Sequence, residues 1–177
     1  MSTTEQTQTL PTGTWRTDPV HSDLQFSVDY MSGTFRGTFS TFGAELADGG
    51  LEGWAEVSSV QVKDPNLEAH LQSPEFFDAE RHPRLTVVSR EITRSGNDVT
   101  IRGDVTIKGQ THPITITGTI SDPIADPFGN ERFGLRLEGT LDRTEFGVTW
   151  NNPLPSGEPA LDNQVRVSAD FQFVKAS

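Results

Sequence analysis

Apolar residues recur at every second position through most of this chain, and that rhythm belongs to strands rather than helices. Residues 24–30 put Leu24, Phe26, Val28 and Tyr30 on one face and Gln25, Ser27 and Asp29 on the other. Phe35, Gly37 and Phe39 repeat the pattern, which then shifts phase to Phe42, Ala44 and Leu46, as a β-bulge near Thr41 would make it. Further stripes run from Glu52 past Trp54 to Lys63, through Leu85 and Val87, and through Val99, Ile101, Gly103, Val105 and Ile107. Ile114, Ile116, Gly118 and Ile120 follow, then Phe133, Leu135, Leu137, Gly139 and Leu141, and finally Val165, Val167, Ala169, Phe171 and Phe173. Turn-forming triplets separate them: Asp48-Gly49-Gly50, Ser95-Gly96-Asn97, Lys108-Gly109-Gln110 and Phe128-Gly129-Asn130. The expected fold is all-β, an extended antiparallel barrel of about eight strands in hairpin succession.

One region breaks the rhythm. Asp64-Pro65 has the form of an N-cap followed by proline at the first helical position, with Leu67 and Leu71 four apart. Ser73-Pro74 repeats the signal with Glu75 in the first turn. The spacing predicts one or two short helices over residues 65–80, inserted in the β-chain. On a helix the adjacent Phe76 and Phe77 would diverge by about 100°. One ring would then face the barrel wall and the other its end, beneath a solvated acidic face.

Glycines occupy apolar-phase positions in four stripes, at Gly37, Gly103, Gly118 and Gly139. Mid-strand glycine weakens a sheet and needs a reason. Either the strands bend there to close the barrel, or the missing side chains leave a void, since a barrel of about eight strands can fill itself or hold one small ligand.

A length of 177 residues fits a single domain over residues 13–177, after a polar, Thr- and Gln-rich tail at residues 1–12 that is expected to be disordered. The net charge of -11 disfavours nucleic acid and anionic membrane surfaces as partners. No window is long and apolar enough for membrane insertion. The opening MSTTEQTQTL has neither a basic start nor an apolar run, so a cytoplasmic location is expected. There is no cysteine, which removes disulfides and thiol chemistry. The four histidines, His21, His70, His82 and His112, show no ligand spacing, so no metal is expected. Asp18, His21 and Ser22 contain the residue types of a hydrolytic triad. In an extended segment, however, His21 and Ser22 point to opposite faces, and no G-x-S-x-G elbow follows.

Five runs, in order, carry a resemblance. WRTDPVHSDLQFSV at residues 15–28, SGTFRGTFSTFG ending at Gly43, HLQSPEFFDAERHP at residues 70–83, VTIRGDVTIKGQTHPI and DRTEFGVTW together resemble the YceI-like family. The resemblance implies a lipocalin-like barrel whose apolar tunnel holds a polyisoprenoid or prenylated quinone as bound ligand, with no catalysis and no other cofactor; it also makes a homodimer plausible. Where the family commonly has an Arg-Asp pair before the His-Leu, this chain has Leu67 and Glu68, and Val87 replaces a common aromatic. Parity places Phe26, Val28, Phe39, Ile101, Val105, Ile116, Leu137, Phe146 and Phe171 inside, and the resemblance makes them ligand contacts, with Phe76 and Phe77 as a lid or a core seal. Asp18, His21, His70 and Arg143 are the candidates for a polar mouth. Two rival readings stand beside this one: a lipid-modifying enzyme using His21 or His70, and a solid-core structural barrel.

Overall fold

A computed structural model describes residues 9–176. In chain order its strands are β1 (Thr14–Thr17), β2 (Asp23–Tyr30), β3 (Gly33–Phe39), β4 (Phe42–Ala47), β5 (Gly50–Glu56) and β6 (Val60–Gln61), followed by one helix, α1 (Pro65–Gln72). β7 (Arg84–Ser95), β8 (Asp98–Ile107), β9 (Gln110–Ile120), β10 (Ile124–Ala125), β11 (Glu131–Asp142) and β12 (Leu161–Lys175) complete it. All pairings are antiparallel, and β11 pairing with β12 closes the sheet on itself.

The barrel has eight walls, because three of them are strands broken in two. β1 and β2 both pair with β12, β3 and β4 follow them as the next wall, and β5 and β6 as the next. Each break has a local cause. Asp18 accepts the Val20 amide at 3.0 Å and caps the turn Pro19–His21, where proline cannot continue a ladder. Ser59, in the turn Val57–Ser59, accepts the Thr41 amide at 3.0 Å and donates to the Glu56 carbonyl at 2.7 Å. That serine ties two of the breaks side by side. The phase shift at Thr41 is therefore a strand break rather than a bulge, and the stripe from Glu52 to Lys63 is two strands flanking a turn. A bulge does occur in β7, between Ser89 and Glu91. A Cβ on Gly103 would collide there with the Val88 carbonyl.

The hairpin triplets perform as their chemistry requires. Asp48-Gly49 and Lys108-Gly109 both take positive φ at two successive residues, the backbone of the tight hairpin whose twist matches the strands. α1 is capped as expected, with the Asp64 carboxylate accepting the Asn66 amide at 2.9 Å. The second helix does not form. Residues 73–82 run through turns in which the Phe76, Asp78 and His82 amides donate to Ser73, Ser73 and Asp78 carbonyls. Asp78 adopts φ 53° and is buried, so it is no part of a solvated face. Of the tail, residues 1–8 lie outside the described residues. Thr9 instead accepts from Arg94 at 3.2 Å, and Leu10 packs on the core.

Packing divides the barrel into two halves. At one end Trp15 meets Phe133 edge-on at 4.9 Å, Phe133 stacks on Phe173 at 5.0 Å, and Leu46, Val99, Ile120 and Leu135 fill the remaining space. Trp15, Phe133 and Phe173 are at most 2% exposed, so this end is solid. The half towards α1 is not.

Candidate functional site

Beneath α1 and residues 73–83 lies a cavity of about 380 Å³. The inward stripes of the barrel strands reach it with almost nothing but carbon. Phe26, Val28, Phe39, Val105, Ile116, Leu137, Phe146 and Phe171 line it, as do Phe76 and Phe77 from the turn segment. Ile101 does not: at 2% exposure it belongs to the packed half, because its position along β8 lies below the cavity floor. The apolar-phase glycines divide by role. Gly37 makes room for the Phe26 ring and Gly118 for the Arg136 carbonyl, both close approaches, whereas Gly139 borders the cavity.

Phe77 points across the void, 6.5 Å from Phe26 and 6.2 Å from Phe39 between ring centres. Phe76, at the edge of the lining, packs against His70 at 4.8 Å and Trp150 at 5.4 Å. His70, half-buried on α1, sits edge-on to Trp150 at 5.2 Å, and its Nε2 lies 2.8 Å from a Glu75 carboxylate oxygen. This cluster joins α1, the turn segment and the loop after Phe146 into one cover over the cavity. Trp150 escaped the parity argument because it sits beside the Pro-rich run NNPLPSGEPA. The two-residue spacing of Phe146, Val148 and Trp150, all of which line the cavity, was the available signal.

Among the described residues Arg143 is the one charged side chain on the lining. It is only 5% exposed, and its guanidinium is turned onto backbone carbonyls and one side-chain oxygen. Nε donates to Asp162 at 2.9 Å, Nη1 to Val148 and Trp150 at 2.8 Å each, and Nη2 to Leu161 at 3.3 Å and the Asn163 side chain at 3.4 Å. All five guanidinium N–H directions are thereby used. Burial lowers its pKa from the ordinary arginine value, with Asp142 and Asp162 opposing the shift. The residue pins the loop over the cavity.

The rest of the expected mouth lies elsewhere. Asp18 and His21 meet each other at 2.7 Å on the outer face of the β1–β2 break, and Asp18 also lies 3.6 Å from Arg132 of β11. The hydrogen bond from His21 chiefly lowers the Asp18 pKa, helped by the Val20 amide and Arg132 against desolvation. The pair serves the strand break and is not on the cavity lining. Among the described residues no three His, Cys, Asp or Glu side chains converge to hold a metal.

Comparison with known proteins gives consistent results. The profile of the YceI-like domain matches residues 15–173. A UPF0312 protein of Staphylococcus epidermidis is 31% identical over 166 residues, covering 88% of this chain and 94% of that one. BcnA of Burkholderia cenocepacia superposes with a TM-score of 0.69 at 21% identity, covering 90% of this chain and 99% of that one. A structure described as a polyisoprenoid binding domain from Saccharophagus degradans gives a TM-score of 0.71 at 10% identity, covering 92% and 98%.

Proposed function

The chain belongs to the YceI-like family, and from that premise we propose that its barrel holds the apolar chain of a polyisoprenoid or prenylated quinone, carrying or storing it without chemical change. The observation that supports this reading is the cavity itself: a void of about 380 Å³ walled by aromatic rings and aliphatic branches in a barrel whose other half is packed solid. An empty apolar space forfeits dispersion contacts, so a sequence that fills one end and leaves the other hollow keeps room for something.

The size suits a compact site, towards the lower end of the roughly 300–1,000 Å³ typical of small-molecule pockets. At about 0.8 kcal/mol per methylene, a buried segment of about ten carbons supplies nominally ~8 kcal/mol before the cost of ordering the chain. A longer tail needs the Phe77 side of the cavity to yield. Because such a lining offers no directional partner, chain length and shape select the ligand. The one charged group on it, Arg143, already has every N–H engaged and is not positioned as an acid or base.

Titration with a short-tailed prenylated quinone, followed by quenching of tryptophan fluorescence, tests the reading, since Trp150 borders the cavity. Saturable quenching that disappears in Phe39→Arg is the expected result. No saturable quenching and no co-purifying quinone would overturn it.

A further inference from the structure

The barrel wall is not uniformly laced. β8 pairs with β9, and β11 with β12, in unbroken register over ten or more residues. Between β9 and β11 the ladder is confined to residues 117–120 against residues 135–138. Both strands continue well beyond, β9 back to Gln110 and β11 on to Asp142, and there they face each other with no ladder at all. The two strands pinch where Gly118 meets the Arg136 carbonyl, a contact that no Cβ could survive.

The unlaced stretch coincides with the cavity. On its inner side Ile114, Ile116, Gly139 and Leu141 line the void. On its outer side Thr115, Gly139 and Thr140, with the last ladder pair Thr117 and Glu138 at the edge, border an open polar groove of about 630 Å³ that extends across β12 and β2. Gly139 lies on both, as do Phe26 and Val167 of the laced β2–β12 wall, but at Gly139 the wall is bare backbone without a side chain. Further along, the plug is Phe146, 1% exposed and edge-on to His112 at 5.1 Å. It packs with Val105 and Ile107 in a cluster separate from the main core. The short turn that carries it, Arg143–Phe146, ends at Gly147, which is exposed and left-handed at φ 77°.

We propose that this β9–β11 seam is the portal through which an amphiphilic chain enters, its tail passing Gly139 into the cavity and its polar end resting in the outer groove, with Phe146 as the gate. Opening the seam beyond the Thr117–Glu138 pair breaks no ladder pairing and costs the packing of Phe146 with its neighbours Ile114 and Leu141. The hydroxyls and charged groups of the groove match a polar head as the carbon-lined cavity matches a tail. The proposal rests on the lipid-binding reading above.

The chain has no cysteine, so engineered pairs are unambiguous. Thr115→Cys with Thr140→Cys places two exposed thiols across the seam, where a short cleavable bis-maleimide bridges the closed seam and holds it shut. A control pair, Thr93→Cys with Thr100→Cys, bridges register partners in the laced β7–β8 wall, away from both the cavity and the groove. Uptake and release of a short-tailed prenylated quinone are followed by tryptophan quenching. The seam bridge should slow both by an order of magnitude or more and cleavage should restore them, while the control bridge changes neither. Unchanged rates with the seam bridge confirmed by mass would overturn the portal. A parent protein that takes up no quinone would overturn the lipid reading, and the portal with it, so the two failures separate. Phe146→Ala should speed release; an unchanged release rate would overturn its role as gate.

Discussion

At the scale of single residues, two side chains organise more than their surroundings suggest. Arg143 holds four carbonyls and one side-chain oxygen around a loop that contains little regular structure. Each carbonyl left without a donor in a buried setting costs about 1–3 kcal/mol, so Arg143→Met should destabilise the protein by roughly 3 kcal/mol or more in urea denaturation. Arg143→Lys should recover only part of that, because one ammonium cannot reproduce a planar fork of five donors. Asp126 plays the corresponding part outside the barrel. Its pKa is lowered chiefly by the Asn130 amide, then by the Phe128 amide and Arg132, against desolvation. A carboxyl depressed on folding stabilises the folded state above its unfolded pKa, and that contribution fades as pH falls through the folded value. Thermal stability should therefore decline as pH drops below the ordinary aspartate value of 3.8, and Asp126→Asn should flatten that acid limb. A pH profile identical in the variant would contradict the assignment.

At the scale of elements, the cover over the cavity separates two neighbouring phenylalanines by function. Phe76 is buried in the main core against His70 and Trp150, whereas Phe77 is partly exposed to the void. Phe76→Ala should cost about 3 kcal/mol of stability, in line with other buried aromatic truncations. Phe77→Ala should cost clearly less but shorten retention of a bound quinone; chemical denaturation and release kinetics on the two variants check both. This division could not be read from residues 73–83, because Ser73-Pro74-Glu75 is equally compatible with a helix start and with consecutive turns. Asp78 settled it by adopting a left-handed conformation, which a sequence does not announce for aspartate. The strand breaks escaped for a similar reason. A phase shift at Thr41 looks the same whether one residue bulges or the strand changes partner. What separates them is a hydrogen bond from a distant turn, Thr41 to Ser59. By contrast, period-two parity was enough to point Phe26, Val28, Phe39, Leu137 and Phe171 inward. Parity gives the face but not the depth, which is why Ile101 falls in the packed half. Asp18 and His21 were drawn to a mouth by residue type alone, and type carries no position.

At the scale of the whole molecule, the barrel is built asymmetrically. The aromatic stack of Trp15, Phe133 and Phe173 supplies a rigid end, and the hollow end carries α1, the turns and the Arg143-pinned loop. Stability and cavity should therefore be separable. Ala169 lines the void, so Ala169→Phe should block quinone uptake while leaving the melting temperature at or above the parent value. Loss of folding together with uptake would show that the space is not free. The hollow half is proposed to hold a hydrophobic chain. Organic-solvent extraction of the purified protein, before and after incubation with mixed prenyl lipids, followed by mass spectrometry of the extract, tests it most directly. The expected result is a prenyl lipid recovered in stoichiometric amount from the parent and absent from Ala169→Phe. Clean extracts from the parent in both conditions would contradict it.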